Sequence, residues 1–483
     1  MDYILYLQST FICWIFERPW QAPGCPALSN FPPGADNEAS SRSAPLSITA
    51  LHARDIRFPT SEQLDGSDAV NVDPDYSAAY LTVETDQGPR GYGLIFTIGR
   101  GNELCCQAVE SLRHLVVGRD FNEIRSDIDA FYGELRSDSQ LRWLGPEKGV
   151  IHMAVGGILN AVWDLWARLE KKPVWRLLCD MPPEQFVNCI DFRYIEDVLT
   201  REEALSMVSR LEPSKRDRID HLERHGYPAY TTSAGWLGYS DEKLAELCRQ
   251  ALEQGFRHIK LKVGRDLAQD IRRCRLFREV AGNDVKLMVD ANQIWEVGQA
   301  IDWINRLAPY DPWFVEEPTS PDDIFGHRKI RRHTHGVRIA TGEHCQNRIM
   351  FKQLIANDAV DVVQIDACRL ASLNEILAVC LIAAKYDKPV CPHAGGVGLC
   401  EYVQHLSMID YVRISADLSD RVVEYVDHLH EHFETPCVVK NGAYMPPAAP
   451  GYSVRMHEET LRKYAFPHGE VWRRRLSERG QVG

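Results

Sequence analysis

Short apolar runs alternate with amphipathic segments along the chain between residues 256 and 415. The runs are rich in Val and Ile, whereas the segments between them carry apolar residues at helical spacing. Strands that alternate with helices in this way form a parallel sheet, and a long series of such units predicts a (β/α) barrel. An open doubly wound sheet is the alternative, disfavoured because no G-x-G-x-x-G follows the first strand. The predicted strands are residues 256–263, 285–290, 312–317, 337–343, 361–366, 389–395 and 411–415.

A polar residue ends each of the first six predicted strands. Successive members of this set are 23 to 28 residues apart, close to the pitch of about 31 residues per unit in a barrel of ordinary size. We therefore expect them at one rim, the carboxyl end of the strands, where barrel active sites are built. The set is Lys262, Asp290, Glu316, Glu343, Asp366 and His393.

Three of these rim residues are acids from neighbouring strands, namely Asp290, Glu316 and Glu343. Carboxylates that face one another repel unless a cation lies between them. An all-oxygen set suits Mg²⁺, whereas zinc favours His or Cys ligands. The alternative is that each acid merely caps the helix that follows it. Three acids in register opposite two lysines favour the metal site, and Mg²⁺ is the predicted cofactor.

Two lysines, Lys260 and Lys262, lie two apart in the apolar run and so face the same side of the strand. Lys262 is a candidate general base if neighbouring positive charge favours its neutral amine. His393 is the second candidate, because Asp366 on the preceding strand can fix its tautomer and raise its basicity. Either residue could remove the proton α to a carboxylate and form an enediolate that a cation stabilises.

Composition limits the classes of function. The net charge of −13 argues against general nucleic-acid binding, and no run reaches the ~20 apolar residues that a membrane span needs. Fourteen scattered cysteines without a CxxC pair are predicted to be reduced residues of the core. Residues 1–45 lack the pattern of a signal or transit peptide and are predicted to be a disordered extension. These features favour the cytoplasm, with mitochondria as the alternative.

Several motifs resemble those of the enolase superfamily, in the mandelate-racemase-like branch that has a KxK and a His–Asp pair. The strings EEPTSPDD (316–323) and CPHAGGVGLCE (391–401) are specific to a subgroup similar to the L-fuconate dehydratases. The other strings that carry the resemblance are DPDYSAAY (73–80), LRWLGPEKGV (141–150), LNAVWDLWA (159–167), CIDFRYI (189–195), YPAYTTS (227–233) and EYVDHLHEHF (424–433).

The resemblance implies a (β/α)₇β barrel with an α+β capping domain that the N-terminal segment and the C-terminal tail build together. The implied domains are a capping segment at 46–190, the barrel at 191–430 and a segment at 431–483 that completes the capping domain.

The resemblance also implies individual roles around the α-carbon of a substrate. Lys262 and His393 flank this carbon, with Asp366 orienting His393, and Glu343 contacts substrate as well as metal. Further contacts are implied for Lys260 with the substrate carboxylate, for Glu424 with the enediolate, and for the capping-loop residues Gly66, Ser67, Asp68 and Tyr76 with the sugar hydroxyls.

The activity implied by the resemblance is Mg²⁺-dependent dehydration of L-fuconate to 2-dehydro-3-deoxy-L-fuconate and water. Another acid-sugar dehydratase or an epimerase is the second hypothesis, because acid–base groups on both faces of one carbon also permit racemisation. A non-catalytic barrel is disfavoured because the predicted base and metal residues are all present. The partners expected are a small acid sugar and further copies of the chain, in a homo-oligomer.

Overall fold

The structure is a computed structural model that describes residues 45–478. Apart from Pro45, the extension predicted for residues 1–45 lies outside the described residues. From the first described residue onward, the chain forms one compact unit.

Alternating apolar residues near the N-terminus form a three-stranded antiparallel sheet, the β part of the α+β capping domain. Its strands follow the chain in the order β1, β2, β3, and the middle strand is almost wholly buried. They are β1 (Ile48–Arg57), β2 (Ser77–Thr85) and β3 (Arg90–Thr97). The helices that follow are α1 (Asn102–Leu112), α2 (Phe121–Ser126), α3 (Ile128–Arg136), α4 (Leu141–Leu144), α5 (Gly149–Leu169), α6 (Val174–Asp180) and α7 (Pro183–Asn188).

Helix α5 is the core helix of this part of the molecule. By length and composition it passes the test for a membrane span, which the sequence did not indicate because polar residues interrupt its apolar run, but nearly all of it is buried inside the protein. Two glycines of β3 allow the helix to approach the sheet closely, because a Cβ at Gly91 or Gly93 would overlap the backbone of α5.

Buried hydrogen bonds join α5 to the second half of the chain. Trp163 Nε1 donates to Asn374 Oδ1 at 3.1 Å, and Asn160 Nδ2 donates to the carbonyl oxygen of Ala367 at 3.1 Å. The imidazole of His152 contacts the Glu375 carboxylate at 2.8 Å. Because these groups are all buried, breaking any of these contacts would leave a buried polar group without a hydrogen-bond partner, which destabilises the fold.

The second half alternates strands and helices. The strands are β4 (Tyr227–Thr231), β5 (His258–Lys262), β6 (Lys286–Asp290), β7 (Pro312–Glu316), β8 (Arg338–Thr341), β9 (Val362–Val363), β10 (Val423–Tyr425), β11 (Val438–Lys440) and β12 (Ala443–Met445). The helices are α8 (Arg201–Arg210), α9 (Lys215–His225), α10 (Asp241–Glu253), α11 (Leu267–Ala281), α12 (Val297–Leu307), α13 (Ile324–His333), α14 (Arg348–Ala356), α15 (Ser372–Lys385), α16 (Leu399–Ile409), α17 (Glu458–Lys463) and α18 (Glu470–Glu478).

Strands β4 to β9 are parallel neighbours in chain order, and β10 pairs in parallel with β4. Residues 389–393 complete the ring between β9 and β10. The backbone N–H of Cys391 donates to Val363, and the N–H of His393 donates to Ile365. On the other side, the N–H of Glu424 donates to Pro392. The fold is therefore the expected (β/α)₇β barrel with an α+β capping domain.

One strand prediction is wrong. Residues 411–415 continue α16 as a π-helical turn, Asp410–Ser415, and the last barrel strand is β10. The sequence YVRIS alternates like a strand, but most of this turn is buried and its apolar side chains pack against helices on more than one side. A short apolar run does not distinguish a buried helix from a strand.

The C-terminal tail returns to the N-terminal sheet. Ala465 forms a β-bridge with Ile56, and the indole Nε1 of Trp472 donates to the carbonyl oxygen of Arg57 at 2.9 Å. The Arg57 guanidinium lies 3.7 Å from the centre of the Phe466 ring. These contacts make the tail part of the capping domain.

Candidate active site

The ends of three adjacent strands bring Lys262, Asp290 and Glu316 side by side. In the parallel ladder, Lys262 is in register with Asp290, and Asp290 is in register with Glu316. Glu343 lies two residues beyond the end of β8, and Asp366 lies three residues beyond the end of β9. The predicted rim residues therefore meet at the carboxyl end of the barrel, although the last strands are shorter than expected.

The acids Asp290, Glu316 and Glu343 form a compact cluster. Each contributes a carboxylate oxygen within 4.8 Å of the other two, and all three side chains are buried. Charges of one sign at this separation repel by about 3–4 kcal/mol per pair, even at an effective dielectric constant of about 20. Burial, together with the Asp290 carboxylate, raises the pKa of the Glu316 carboxyl to about 8.

A divalent cation fits this cluster. Among the described residues, the buried oxygen Glu316 Oε1 has no hydrogen-bond partner, and neither does Oδ1 of the nearby Asn292. Unpaired buried oxygens are costly, and a cation would satisfy them together with the charge repulsion. The donor set is all oxygen, which is the chemistry that Mg²⁺ prefers.

Both lysines of the KxK are paired with these acids. Lys260 Nζ lies 2.7 Å from Glu316 Oε2 and 3.0 Å from Glu424 Oε1, whereas Lys262 Nζ lies 2.5 Å from Asp290 Oδ2. Burial lowers the pKa of the Lys262 ammonium, but Asp290 outweighs burial and raises that pKa above its usual value. The like charges of the two lysines are thus tolerated because carboxylates separate them.

His393 and Asp366 form the predicted pair. His393 Nδ1 lies 2.7 Å from Asp366 Oδ2, and the other oxygen of Asp366 accepts hydrogen bonds from two backbone N–H groups. His393 Nε2 is 3.3 Å from Glu343 Oε2, which places the ring at the edge of the acidic cluster. Burial lowers the pKa of the imidazole, but Glu343 and Asp366 outweigh burial and raise it to about 10.

Glu424 lies between the lysines and the histidine. Its carboxylate accepts hydrogen bonds from Thr232 Oγ1 and from the backbone N–H of Ala394, the latter at 2.8 Å, and its Oε2 is 3.8 Å from His393 Nε2. Burial alone would raise the pKa of Glu424, but Lys260 and His393 lower it. Donation of a hydrogen bond to an enediolate would require its protonated form, so that predicted role stays a prediction.

A cavity of about 330 Å³ opens above these groups. Lys262, Glu343 and His393 form its polar floor, and Gly66, Asp68 and Tyr76 of the capping loop line its wall. Ser67 differs from the prediction, because its hydroxyl donates to the carbonyl oxygen of Leu237 and supports the loop beside the cavity. The other lining residues include Phe96, Ile98, Arg100, Leu104, Met153, Trp236 and Arg369.

Some residues of the site were missed by sequence reasoning. Glu317 is fully buried beside Glu316, and its carboxylate contacts His344 Nδ1 at 2.9 Å and Gln293 Nε2 at 2.9 Å. The doubled acid in EEP and the histidine directly after Glu343 are the signals that could have indicated them.

We expect replacement of Gly66 by alanine to reduce kcat/KM roughly 100-fold, because a displacement of about 1 Å in a positioning group costs this much. A Cβ at Gly66 would overlap the Tyr76 ring and hydroxyl, so either the loop or that ring, both of which line the cavity, must move. Gly88→Ala is the matched control, since Gly88 also has a positive φ but a Cβ added there would meet nothing within 4 Å. Steady-state kinetics would test this, and equal losses in both variants would contradict a specific role for the Gly66–Tyr76 contact.

A capped (β/α)₇β barrel whose rim places a lysine and a histidine beside an acidic cluster that could hold a cation is typical of one class of enzyme. Residues 69–179 match the family described as mandelate racemase / muconate lactonizing enzyme, N-terminal domain, and residues 243–460 match the family described as enolase C-terminal domain-like. The chain belongs to the enolase superfamily, and it is an enzyme of the mandelate racemase and muconate lactonizing branch.

Similar proteins cover nearly all of the chain. Mitochondrial enolase superfamily member 1 of Xenopus laevis is 54% identical over 436 residues, which are 89% of this chain and 98% of that protein. L-galactonate dehydratase of Hypocrea jecorina is 53% identical over 87% of this chain and 94% of that protein. The crystal structure of human mitochondrial enolase superfamily member 1 superimposes with a TM-score of 0.88 at 53% identity, covering 90% of this chain and 100% of that one.

A more distant solved structure shares the fold. L-talarate/galactarate dehydratase from Salmonella typhimurium LT2, liganded with Mg and L-lyxarohydroxamate, gives a TM-score of 0.69 at 22% identity over 90% of this chain and 97% of that one.

Proposed function

We propose that this enzyme is a Mg²⁺-dependent hydro-lyase that converts L-fuconate to 2-dehydro-3-deoxy-L-fuconate and water. The observation that carries the proposal is the arrangement around the acidic cluster. Lys262 contacts the cluster at Asp290, and His393 contacts it at Glu343. A substrate bound above the cluster would therefore meet an acid–base group from either of two directions, and one of them suffices for α-proton abstraction. Asp290 and Glu343 raise the pKa of these two groups, and a cation that neutralised the two carboxylates would favour the forms that accept a proton.

Asp290, Glu316 and Glu343 would hold the cation. When bound there, Mg²⁺ supplies positive charge that stabilises negative charge on the substrate carboxylate as the α-proton leaves. The relatives support this choice, because a solved structure of the same fold is liganded with Mg.

The protein side chains carry the proton transfers. Lys260 is fully buried between Glu316 and Glu424 and is not among the residues that line the cavity, so its contact with the substrate carboxylate would require one of these ion pairs to open. Either Lys262 or His393 takes the proton from C2. The C–H electron pair then forms the C1–C2 double bond of the enediolate. The 3-hydroxyl leaves as water with a proton from the site, and the resulting enol ketonises to the 2-keto acid. Asp366 keeps the Nδ1 proton of His393 in place, so that Nε2 faces the reacting carbon.

L-galactonate is the second candidate substrate, because a 53% identical relative is named L-galactonate dehydratase. The two acids differ only at C6, which is a methyl group in L-fuconate and a hydroxymethyl group in L-galactonate. The apolar residues Phe96, Ile98 and Leu104 on the cavity wall favour a substrate with a methyl group at C6, which is L-fuconate. Apolar pockets reject an added hydroxyl only weakly, by about 100-fold.

The test is a direct comparison of the two acids. Purified enzyme with Mg²⁺ is expected to form a 2-keto acid, detected with semicarbazide, and kcat/KM for L-fuconate is expected to exceed that for L-galactonate by roughly 10- to 100-fold. Exchange of the C2 proton with solvent deuterium without loss of water would instead favour an epimerase. A higher kcat/KM for L-galactonate would overturn the substrate assignment and leave the dehydration chemistry in place.

The names of the Xenopus and human relatives include the word mitochondrial. They support the mitochondrial alternative over the cytoplasm for this protein, and imaging of a C-terminally tagged chain would distinguish the two locations.

A further inference from the structure

Three side chains of metal-binding type meet outside the lining of the active-site cavity. Cys400 is the second residue of α16, His430 lies in the turn after β10, and Cys437 directly precedes β11. One ligand atom of each lies within 4.8 Å of the other two. Residues far apart in the chain thus converge on one point, where the sequence alone predicted only reduced core cysteines.

The orientation of His430 indicates which atom faces the centre of this cluster. Its Nε2 lies 2.7 Å from the carbonyl oxygen of Val426, and a carbonyl only accepts, so Nε2 carries a proton. Nδ1 then points to Glu401 Oε1 at 2.7 Å, a hydrogen bond whose proton an ion bound at Nδ1 would replace, and to Cys437 Sγ at 3.5 Å. A histidine that ligates a metal donates its other ring N–H to a backbone carbonyl in this manner.

Glu401 supplies a second observation that is independent of the cysteines. Its side chain is fully buried, and among residues 45–478 its Oε2 has no hydrogen-bond partner. Its Oε1 accepts a hydrogen bond from the backbone N–H of Cys437 at 3.3 Å and so faces the same centre. A buried carboxylate with an unpaired oxygen, next to a ring nitrogen and two thiols, is a favourable environment for a cation.

The separation between the sulfur and nitrogen ligands suits a tetrahedral ion, whereas Glu401 Oε1, at 2.7 Å from His430 Nδ1, would move outward by about 0.6 Å to join them. Bonds of about 2.3 Å to sulfur and about 2.0 Å to nitrogen place the S and N ligands of tetrahedral zinc about 3.5 Å apart, the separation between Cys437 Sγ and His430 Nδ1. Thiolate and imidazole ligands select Zn²⁺ over Mg²⁺. His430 and Cys437 are partly exposed, which gives an ion a route to the cluster.

We propose that Cys400, His430 and Cys437 bind one Zn²⁺, with Glu401 as the fourth ligand. The ion would cross-link the segment between β10 and β11, which contains His430 and Cys437, to Cys400 at the start of α16. Cys400 Sγ lies 3.6 Å from the carbonyl oxygen of Ala394, whose own N–H donates to Glu424 Oε2. The site therefore supports the loop that follows His393, separately from the Mg²⁺ cluster.

The experiment uses the full chain, purified with reductant and without chelator, and then loaded with Co²⁺. Wild-type protein is expected to retain one equivalent of zinc and, after exchange, to show a thiolate-to-cobalt charge-transfer band in the near ultraviolet. The acidic cluster has only oxygen ligands, so cobalt bound there gives no such band. The band is expected to be lost in Cys437→Ser and in His430→Gln and to remain in Cys106→Ser, a partly exposed cysteine outside the cluster.

Far-ultraviolet circular dichroism would confirm that each variant is folded before its spectrum is interpreted. A wild-type protein without the band would overturn the proposal, as would an equal band in Cys437→Ser. Non-reducing peptide mapping that finds Cys400 linked to Cys437, with no band after reduction, would overturn it in favour of a disulfide. None of these readouts depends on the dehydratase activity.

Discussion

Replacement of Lys262 by methionine is expected to lower kcat for L-fuconate by about 10²–10⁴-fold, which is the contribution of a positioned general acid or base. Lys262 lines the cavity and its Nζ lies 2.5 Å from Asp290 Oδ2, so this amine is placed beside a substrate held at the acidic cluster. Methionine preserves the length and apolar contacts of the side chain and removes only the titratable group. Release of 2-keto acid measures the effect.

Lys286→Met is the matched control, because Lys286 begins the neighbouring strand β6 and is exposed. It is expected to retain wild-type kcat. His393→Asn distinguishes the two candidate bases. Exchange of the C2 proton in deuterium oxide would be measured in His393→Asn and in Lys262→Met, and the variant that still exchanges it retains the residue that removes this proton. A kcat within about twofold of wild type in the Lys262 variant, far below the contribution of a general base, would exclude the assigned role.

Replacement of Glu316 by glutamine is expected to abolish activity and the response of stability to Mg²⁺. At 100 times its Kd, a ligand that binds only the folded state stabilises the protein by about 2.7 kcal/mol. Wild-type enzyme should therefore show a higher Tm in Mg²⁺ than in EDTA, and EDTA should inactivate it reversibly. The variant should have the same Tm in both, because glutamine keeps the size of the side chain but removes the charge from the cluster.

Asp322→Asn controls for the loss of one acidic charge, because Asp322 is exposed in the connection that follows Glu316. Its Tm should rise with Mg²⁺ as the wild-type Tm does. A Mg²⁺-dependent increase in Tm that persists in Glu316→Gln would place the cation elsewhere, and wild-type activity that is indifferent to EDTA would remove the metal from the mechanism.

The part of the site that the sequence predicted best lies on β5, β6 and β7. These strands are buried and regular, so polar residues at equal intervals along the chain lie at the same level of the barrel, on its carboxyl-end rim. The prediction was less accurate around β9, because β9 contains only two residues and the segment near His393 contains Pro389 and Pro392. Proline lacks a backbone N–H, so the N–H groups of Cys391 and His393 form the hydrogen bonds that hold that segment in the ring.

Other features depended on contacts that no local pattern encodes. Ser67 supports the loop because Leu237, far away in the chain, presents a carbonyl oxygen to it. Cys400, His430 and Cys437 meet only because β10 and the residues after it pack against the start of α16. Scattered cysteines without a spacing motif gave no sign of that convergence.

The buried hydrogen bonds between α5 and the barrel have a consequence for how substrate enters. Trp163 and Asn160 are hydrogen-bonded to Asn374 and Ala367. Rotation of the capping domain as a rigid body would break these bonds and leave several buried polar groups without a partner. We therefore expect admission and release of the acid sugar to rely on local displacement of residues 60–76, while the hydrogen bonds between α5 and the barrel persist throughout the turnover cycle.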